Sequence, residues 1–223
     1  VAGINDAVST VQHVGELAGV AAFALSGGLV AVRHRLDIVG VLLLAVATAL
    51  GGGVIRDLII GNNPPVAFTN MQYLGTAVAA GAVICVWRPP VRLTRWPLDV
   101  TDAVGLGLFA VTGTVVAHQA GLNAPGAALL GMTTAIGGGV IRDVLTGQIP
   151  SVLRPQQHLY AIPALLCATV VTLLLRYTDY QPWMGLACAV IATALRLASL
   201  GLGWHGPEPW YVRRDRKAGL LDE

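Results

Sequence analysis

Apolar residues gather along this chain into seven stretches, approximately 12–32, 38–60, 70–87, 99–118, 124–147, 157–176 and 182–201, parted by short polar links. Each stretch is near the ~20 residues that carry an α-helix across the hydrocarbon core of a bilayer. Runs such as Val39 to Leu50 are almost continuously apolar, whereas the strands of a membrane β-barrel alternate apolar and polar residues. The pattern predicts an all-α membrane protein with seven transmembrane helices. It leaves almost no chain for a soluble domain, so any activity belongs inside the bundle.

The polar residues within these stretches are few, and they recur. Gly51-Gly52-Gly53-Val54-Ile55-Arg56-Asp57 in the second stretch returns unchanged as Gly137-Gly138-Gly139-Val140-Ile141-Arg142-Asp143 in the fifth, 86 positions later. The same shift carries Glu16 onto Asp102, Phe23 onto Phe109, Gly27 onto Gly113, Thr48 onto Thr134 and Pro64 onto Pro150 without an insertion. Such a register marks a duplication. Residues 12–87 form the first three-helix repeat and 98–176 the second, with 182–201 as a seventh helix and 202–223 as a basic cytoplasmic tail. Three spans per unit is an odd number, so the second unit enters the membrane the opposite way round. The expected plan is an inverted repeat about a pseudo-two-fold axis in the membrane plane, as in many transport proteins.

Composition supports the membrane reading: of 223 residues, 55% are hydrophobic and 12% charged, about half the charged content of a soluble domain. The net charge of +2 decides little, but its distribution decides orientation. Arg33, Arg35, Arg88, Arg92, Arg95, Arg154 and the cluster Arg213, Arg214, Arg216 and Lys217 follow the odd-numbered spans, while the links after the second and fourth carry no Lys or Arg. The positive-inside rule puts the N-terminus outside and the C-terminus in the cytoplasm of a bacterial or archaeal inner membrane. The first span lacks a basic leader and belongs to the repeat, so it is expected to stay in the mature protein. Cys85, Cys167 and Cys188 have no metal-ligand spacing and read as small buried thiols.

A glycine triplet weakens a membrane helix, and it has two physical uses. It can let helices approach closely, or it can permit a bend that turns backbone carbonyls toward a polar cavity. Three consecutive glycines wrap nearly around the helix, which favours the bend at Gly51, Gly52, Gly53 and at Gly137, Gly138, Gly139. Adjacent helical residues point about 100° apart, so Arg56 and Asp57, like Arg142 and Asp143, are not expected to face each other. The repeat supplies other partners: Glu16 for Arg56 and Asp102 for Arg142. Asp57 and Asp143 are then expected nearer the opposite mouths of a water-filled path.

At these residues the chain resembles the prokaryotic branch of the trimeric intracellular cation (TRIC) channels, together with the bacterial membrane family described as glycine transporters. The doubled Gly-Gly-Gly-x-x-Arg-Asp signature, the three-plus-three-plus-one layout and the Pro-containing links carry the resemblance over residues 12–201. It implies a homotrimer in the lipid bilayer with one pore per subunit, lined by the second and fifth helices bent at their glycines. Potassium and sodium would permeate, with Thr48 and Thr134 as pore-lining hydroxyls. Animal members bind a phosphoinositide through a lysine motif on the second span, and this span has none.

The first functional expectation is therefore a monovalent cation channel that replaces part of an ion's hydration shell with carbonyl and hydroxyl oxygens. The alternative is a secondary transporter of a small zwitterion such as glycine, since inverted repeats and broken helices serve carriers equally. An enzyme is not expected: inverted placement separates Asp57 from Asp143, which excludes a proton-sharing dyad. No strand precedes the glycines and no Lys-Ser/Thr element follows them, which excludes a phosphate loop. No cofactor, structural metal or nucleic-acid partner is expected. His13 and His118 read as interface residues, Trp87, Trp96, Trp183, Tyr177 and Tyr180 as interfacial anchors, and Arg196 as a side chain reaching the cytoplasmic headgroups.

Overall fold

The computed structural model describes residues 2–87, 89–154 and 160–204, with side chains from residue 10. Arg88 and the basic tail from residue 205 lie outside the described residues. The elements are α1 (Ala2–Arg33), α2 (Ile38–Ile59), α3 (Val66–Thr69), α4 (Met71–Trp87), α5 (Arg95–Gln119), α6 (Ala124–Leu145), α7 (Ala161–Tyr177) and α8 (Pro182–Leu202). A single 3₁₀ turn at Val91–Leu93 precedes α5. The protein is all-helical among the described residues, as the apolar pattern predicts.

Helices α2 and α6 begin alike. The Asp37 carboxylate accepts the Gly40 N–H at 2.7 Å, and the Asn123 amide oxygen accepts the Gly126 N–H at 2.8 Å, each relieving one of the unpaired donors of a helix start. Pro125 and Pro182 stand in the first turns of α6 and α8, where a missing N–H costs nothing. Gly203 ends α8 at φ 67°, a left-handed position that favours glycine.

Among the described residues, five helices are long and apolar enough to cross a membrane: Thr10–Arg33 of α1, α2, α5, α6 and α8. Helices α4 and α7 have 17 residues each, about 26 Å at 1.5 Å per residue. Helix α1 packs on α2, α4 and α5; α5 packs on α6, α7 and α8; and α2 crosses α6. The most apolar windows of α1 and α5 are 67% and 72% buried, against 28% for α8. Helices α1 and α5 are therefore the central pair, and α8 is an outer helix laid on α5 and α7.

Three features differ from expectation, the first being that α1 begins at Ala2, ten residues before the apolar stretch that predicts it. Helix α5 starts at Arg95, because Thr94 and the 3₁₀ turn anchor it early: the Thr94 hydroxyl donates to the Val91 carbonyl at 2.7 Å and accepts from Arg33 Nε at 2.7 Å. The short helix α3, hidden inside an apolar-polar link, is held by a carboxylate described below. No disulfide joins Cys85, Cys167 and Cys188 among the described residues; Cys167 is buried, and Cys85 and Cys188 are half-buried. Trp87, Trp96, Trp183 and Tyr177 are exposed, as interfacial anchors require. Tyr180 is instead half-buried against a lateral apolar cavity of ≈ 70 Å³, and burial pushes its phenol up to about 12.

Candidate functional site: two charged centres across a glycine crossing

Each repeated motif ends in a buried charged centre. At the first, Arg56 is 5% exposed, and its Nη1 donates to Glu16 Oε1 of α1 at 2.7 Å. At the second, Arg142 is 4% exposed, and its Nη1 donates to Asp102 Oδ1 of α5 at 2.6 Å. Both predicted pairs form. Neither arginine snorkels to an interface.

The adjacent aspartates depart from expectation. Arg56 Nε donates to Asp57 Oδ1 at 2.9 Å, and Arg142 Nε donates to Asp143 Oδ1 at 3.0 Å. The 100° rule governs where Cβ atoms point, whereas the long arginine stem lets one edge of the guanidinium fold back over its neighbour. Its remaining nitrogen reaches the next helix. Asp57 and Asp143 are buried rather than at open mouths, and each ties down a link. Asp57 Oδ2 accepts the Val66 N–H at the start of α3 at 2.9 Å. Asp143 Oδ2 accepts the Ser151 N–H at 2.8 Å and the Ser151 hydroxyl at 2.9 Å. A buried carboxylate needs such donors, since burying a charge is costly unless it is paired and hydrogen-bonded.

Each centre also has a tyrosine. Tyr73 donates to Glu16 Oε2 at 2.5 Å, and Tyr160 donates to Asp102 Oδ1 at 3.3 Å. His13 faces Tyr73 through Nδ1 at 3.1 Å and Gln72 through Nε2 at 2.7 Å, so it belongs to the first centre. Arg196 is buried, and its guanidinium lies 4.7 Å from the Tyr160 ring centre; it points into the bundle, not to the headgroups. Its attraction to the face of a buried ring favours this inward position, and Asp99 and Asp102 line the same cavity as Arg196. Sequence reasoning missed Tyr73 and Tyr160 because they stand 87 positions apart, one residue out of the repeat register.

The two centres are strung along α1. Arg56 binds Glu16, while Arg142 also donates to Ser26 Oγ at 2.5 Å. Glu16 and Ser26 are ten residues apart, about 15 Å on a helix. Between them α2 and α6 touch backbone to backbone. A Cβ on Gly52 would run into the Thr134 carbonyl oxygen, and one on Gly138 into the Thr48 carbonyl oxygen. Both helices run without a break through their triplets. In this arrangement Gly52, Gly137 and Gly138 serve close approach of the two helices, whereas Gly53 faces open space. Thr48 and Thr134 are wholly buried, and their hydroxyls donate to the Leu44 and Leu130 carbonyls at 2.6 and 2.7 Å. They pack on Gly27 of α1 and Gly113 of α5.

A cavity adjoins each centre. The first, ≈ 20 Å³, is lined by Glu16, Gly53, Arg56, Asp57, Tyr73 and Phe109 among others. It holds two carboxylates and one arginine. The second, ≈ 350 Å³, is lined by five arginines (Arg33, Arg95, Arg142, Arg154, Arg196) and three aspartates (Asp99, Asp102, Asp143). The two ends therefore carry opposite formal charge. Thr48 and Thr134 line neither cavity. No group of three or more His, Cys, Asp or Glu among the described residues could hold a metal ion.

The chain is similar over most of its length to proteins already known. A family model described as glycine transporter matches residues 13–89 and again 99–176. A UPF0126 membrane protein of Streptomyces coelicolor is 45% identical over 195 residues, covering 87% of this chain and 88% of its own. The UPF0126 inner membrane protein YadS of Escherichia coli is 37% identical over 203 residues, covering 88% of this chain and 94% of its own. Among solved structures, the trimeric intracellular cation channel orthologue from Rhodobacter sphaeroides superposes with a TM-score of 0.81 at 34% identity, covering 87% of this chain and 99% of that one. A prokaryotic TRIC channel solved in 0.5 M KCl gives 0.80 at 30% identity, covering 87% and 98%. The doubled motif, its two charged centres and these likenesses agree: the chain belongs to the glycine-transporter family of bacterial membrane proteins, the family that includes the prokaryotic TRIC channels.

Proposed function

We propose that this chain is a passive channel for monovalent cations, potassium and sodium, with a conduction path inside each subunit along the α2–α6 crossing. The observation that carries this reading is the pair of matched charged centres, each beside its own cavity, at the two ends of a crossing made of glycine. Parting or bending of the helices at Gly51–Gly53 and Gly137–Gly139 would free the Thr48 and Thr134 carbonyls and hydroxyls as oxygen ligands for a partly dehydrated ion. Arg56 and Arg142, neutralised by Glu16, Asp57, Asp102 and Asp143, would not repel it. The packed crossing then corresponds to a shut path. The names of the solved relatives support both the channel activity and a homotrimer.

In this reading α4 and α7 also cross, giving seven spans. The two three-helix units are inverted, with the N-terminus outside and the C-terminus in the cytoplasm. No cofactor takes part and no catalytic step is involved. A secondary carrier for glycine is the second reading, favoured by the description of the family model. Purified chain in liposomes decides between them: potassium flux that follows voltage without saturation supports the channel, and saturable uptake of labelled glycine replaces it with the carrier.

A further inference from the structure

The two centres share the arginine, its adjacent aspartate and its acidic partner, but the arginines differ in what else they bind. Arg142 Nη1 donates to both Asp102 and Ser26, whereas among the described residues Arg56 Nη1 donates to Glu16 alone. The same 86-position shift carries Ser26 onto Thr112 on α5. Thr112 is 5% exposed, and its hydroxyl oxygen is buried without a hydrogen-bond partner. Its methyl group faces Gly15, the neighbour of Glu16. One end thus has a complete arginine–hydroxyl contact and a cavity of ≈ 350 Å³. The other has a donor with spare capacity and a cavity of ≈ 20 Å³, while its repeat-equivalent hydroxyl, on Thr112, is unpartnered and lines the lateral apolar cavity beside Gly15 instead.

A buried hydroxyl without a partner costs free energy, and a guanidinium has five N–H donors to distribute. We propose that Thr112 is a second docking position for the Arg56 guanidinium, occupied in a conformation in which the first cavity is open as the second is here. In that state Arg56 keeps Asp57 and Glu16, and its spare Nη1 hydrogen goes to Thr112 Oγ1, as Arg142 donates to Ser26. Thr112 is then a positioning residue, acting on permeation through Arg56. The inference rests on the repeat-related arrangement of the two ends under the proposed function.

The test uses the full chain in liposomes with Cys85, Cys167 and Cys188 replaced by alanine, and an Ala67→Cys reporter in the first cavity. Its rate of modification by a membrane-impermeant methanethiosulfonate reports how often that cavity opens. Thr112→Val, which removes the hydroxyl at constant shape, should slow modification by about fivefold, the weight of one hydrogen bond. Its thermal unfolding midpoint should be unchanged or higher. Thr112→Ser, which keeps the hydroxyl, should react like the parent. An unaltered or faster rate in Thr112→Val, or a Thr112→Ser rate as slow as that of Thr112→Val, overturns the docking position. A Leu200→Cys reporter in the second cavity separates this from the inverted arrangement. If the reagent reaches residues 67 and 200 from the same face of the bilayer, the inversion fails, and the Val–Ser comparison still decides the docking.

Discussion

The Phe23 ring lies on the Phe109 ring, with centroids 5.4 Å apart and planes 28° from parallel. The two residues are repeat equivalents on α1 and α5. Each also packs on the glycine four residues before the other: Phe109 on Gly19 and Phe23 on Gly105. A Cβ on Gly138 would also meet the Phe23 ring at 3.3 Å. The stack therefore sits beside the α2–α6 crossing and closes the bundle between the two charged centres.

Phe109 lines the first cavity as well, so trimming it joins that cavity to the central seal. Phe109→Leu should raise basal potassium flux in liposomes several-fold. Its cost in stability should be smaller than the ~3–5 kcal/mol of a buried Phe→Ala change. Flux equal to that of the parent would show that the ring plays no part in closing the path.

The glycines of each triplet should not respond alike. Gly52→Ala and Gly138→Ala each force a Cβ against a backbone carbonyl on the facing helix, which only movement of the helix can relieve. Each should cost about 1–3 kcal/mol, as overpacking does, and lower the thermal midpoint in detergent. Nothing lies within 4 Å of a Cβ on Gly53. Gly53→Ala should therefore be neutral or stabilising by up to ~1 kcal/mol from helix propensity. Equal midpoints for the Gly52 and Gly53 variants would contradict the close crossing.

The charged centres test differently, because their members are unequal. Arg56→Met or Arg142→Met removes the guanidinium that two buried carboxylates share, and breaking a buried pair costs ~3–5 kcal/mol. Glu16→Gln keeps an oxygen acceptor for Arg56 and leaves Asp57 to balance its charge, so it should cost clearly less. Urea-free thermal unfolding of the three variants, compared at one pH, gives the order directly. If Glu16→Gln is as damaging as Arg56→Met, the balance of charge assigned to the first centre is wrong.

Much of this was legible in the chain. Arginine and acid stand 40 positions apart in both repeats, and duplicated spacing predicts both Glu16–Arg56 and Asp102–Arg142. Helix positions followed from apolar run length. The role of the glycines did not, because the atoms that Gly52 and Gly138 touch belong to the opposite repeat, and one helix in isolation cannot show what crosses it. Arg56 folding back on Asp57 was hidden because residue spacing fixes Cβ directions, not the reach of a four-bond side chain. Arg196 looked like a headgroup anchor from its place near a helix end. Its inward turn depends on the Tyr160 ring arriving from the neighbouring helix.

The unequal charge of the two cavities leads to a last expectation, about the direction of current. Cations near the first cavity meet two carboxylates and one arginine. Cations near the second meet five arginines and three aspartates, and like charge in a low-dielectric vestibule lowers local cation concentration. A cation channel built this way should pass larger currents when cations enter from the first cavity, and the asymmetry should shrink as salt screens the vestibule over the ~8 Å Debye length of physiological solution. Arg154 is the arginine to neutralise. Its side chain sits at the rim, donating to the Ile149 carbonyl and the Gln148 amide oxygen at 2.6 Å each, so Arg154→Gln changes charge without opening a buried ion pair. Single-channel recordings in symmetric potassium should show a smaller difference between the two current directions for Arg154→Gln than for the parent, most clearly at low salt. An asymmetry of unchanged size would mean that permeating ions do not pass the second cavity, and the path would have to leave the bundle elsewhere.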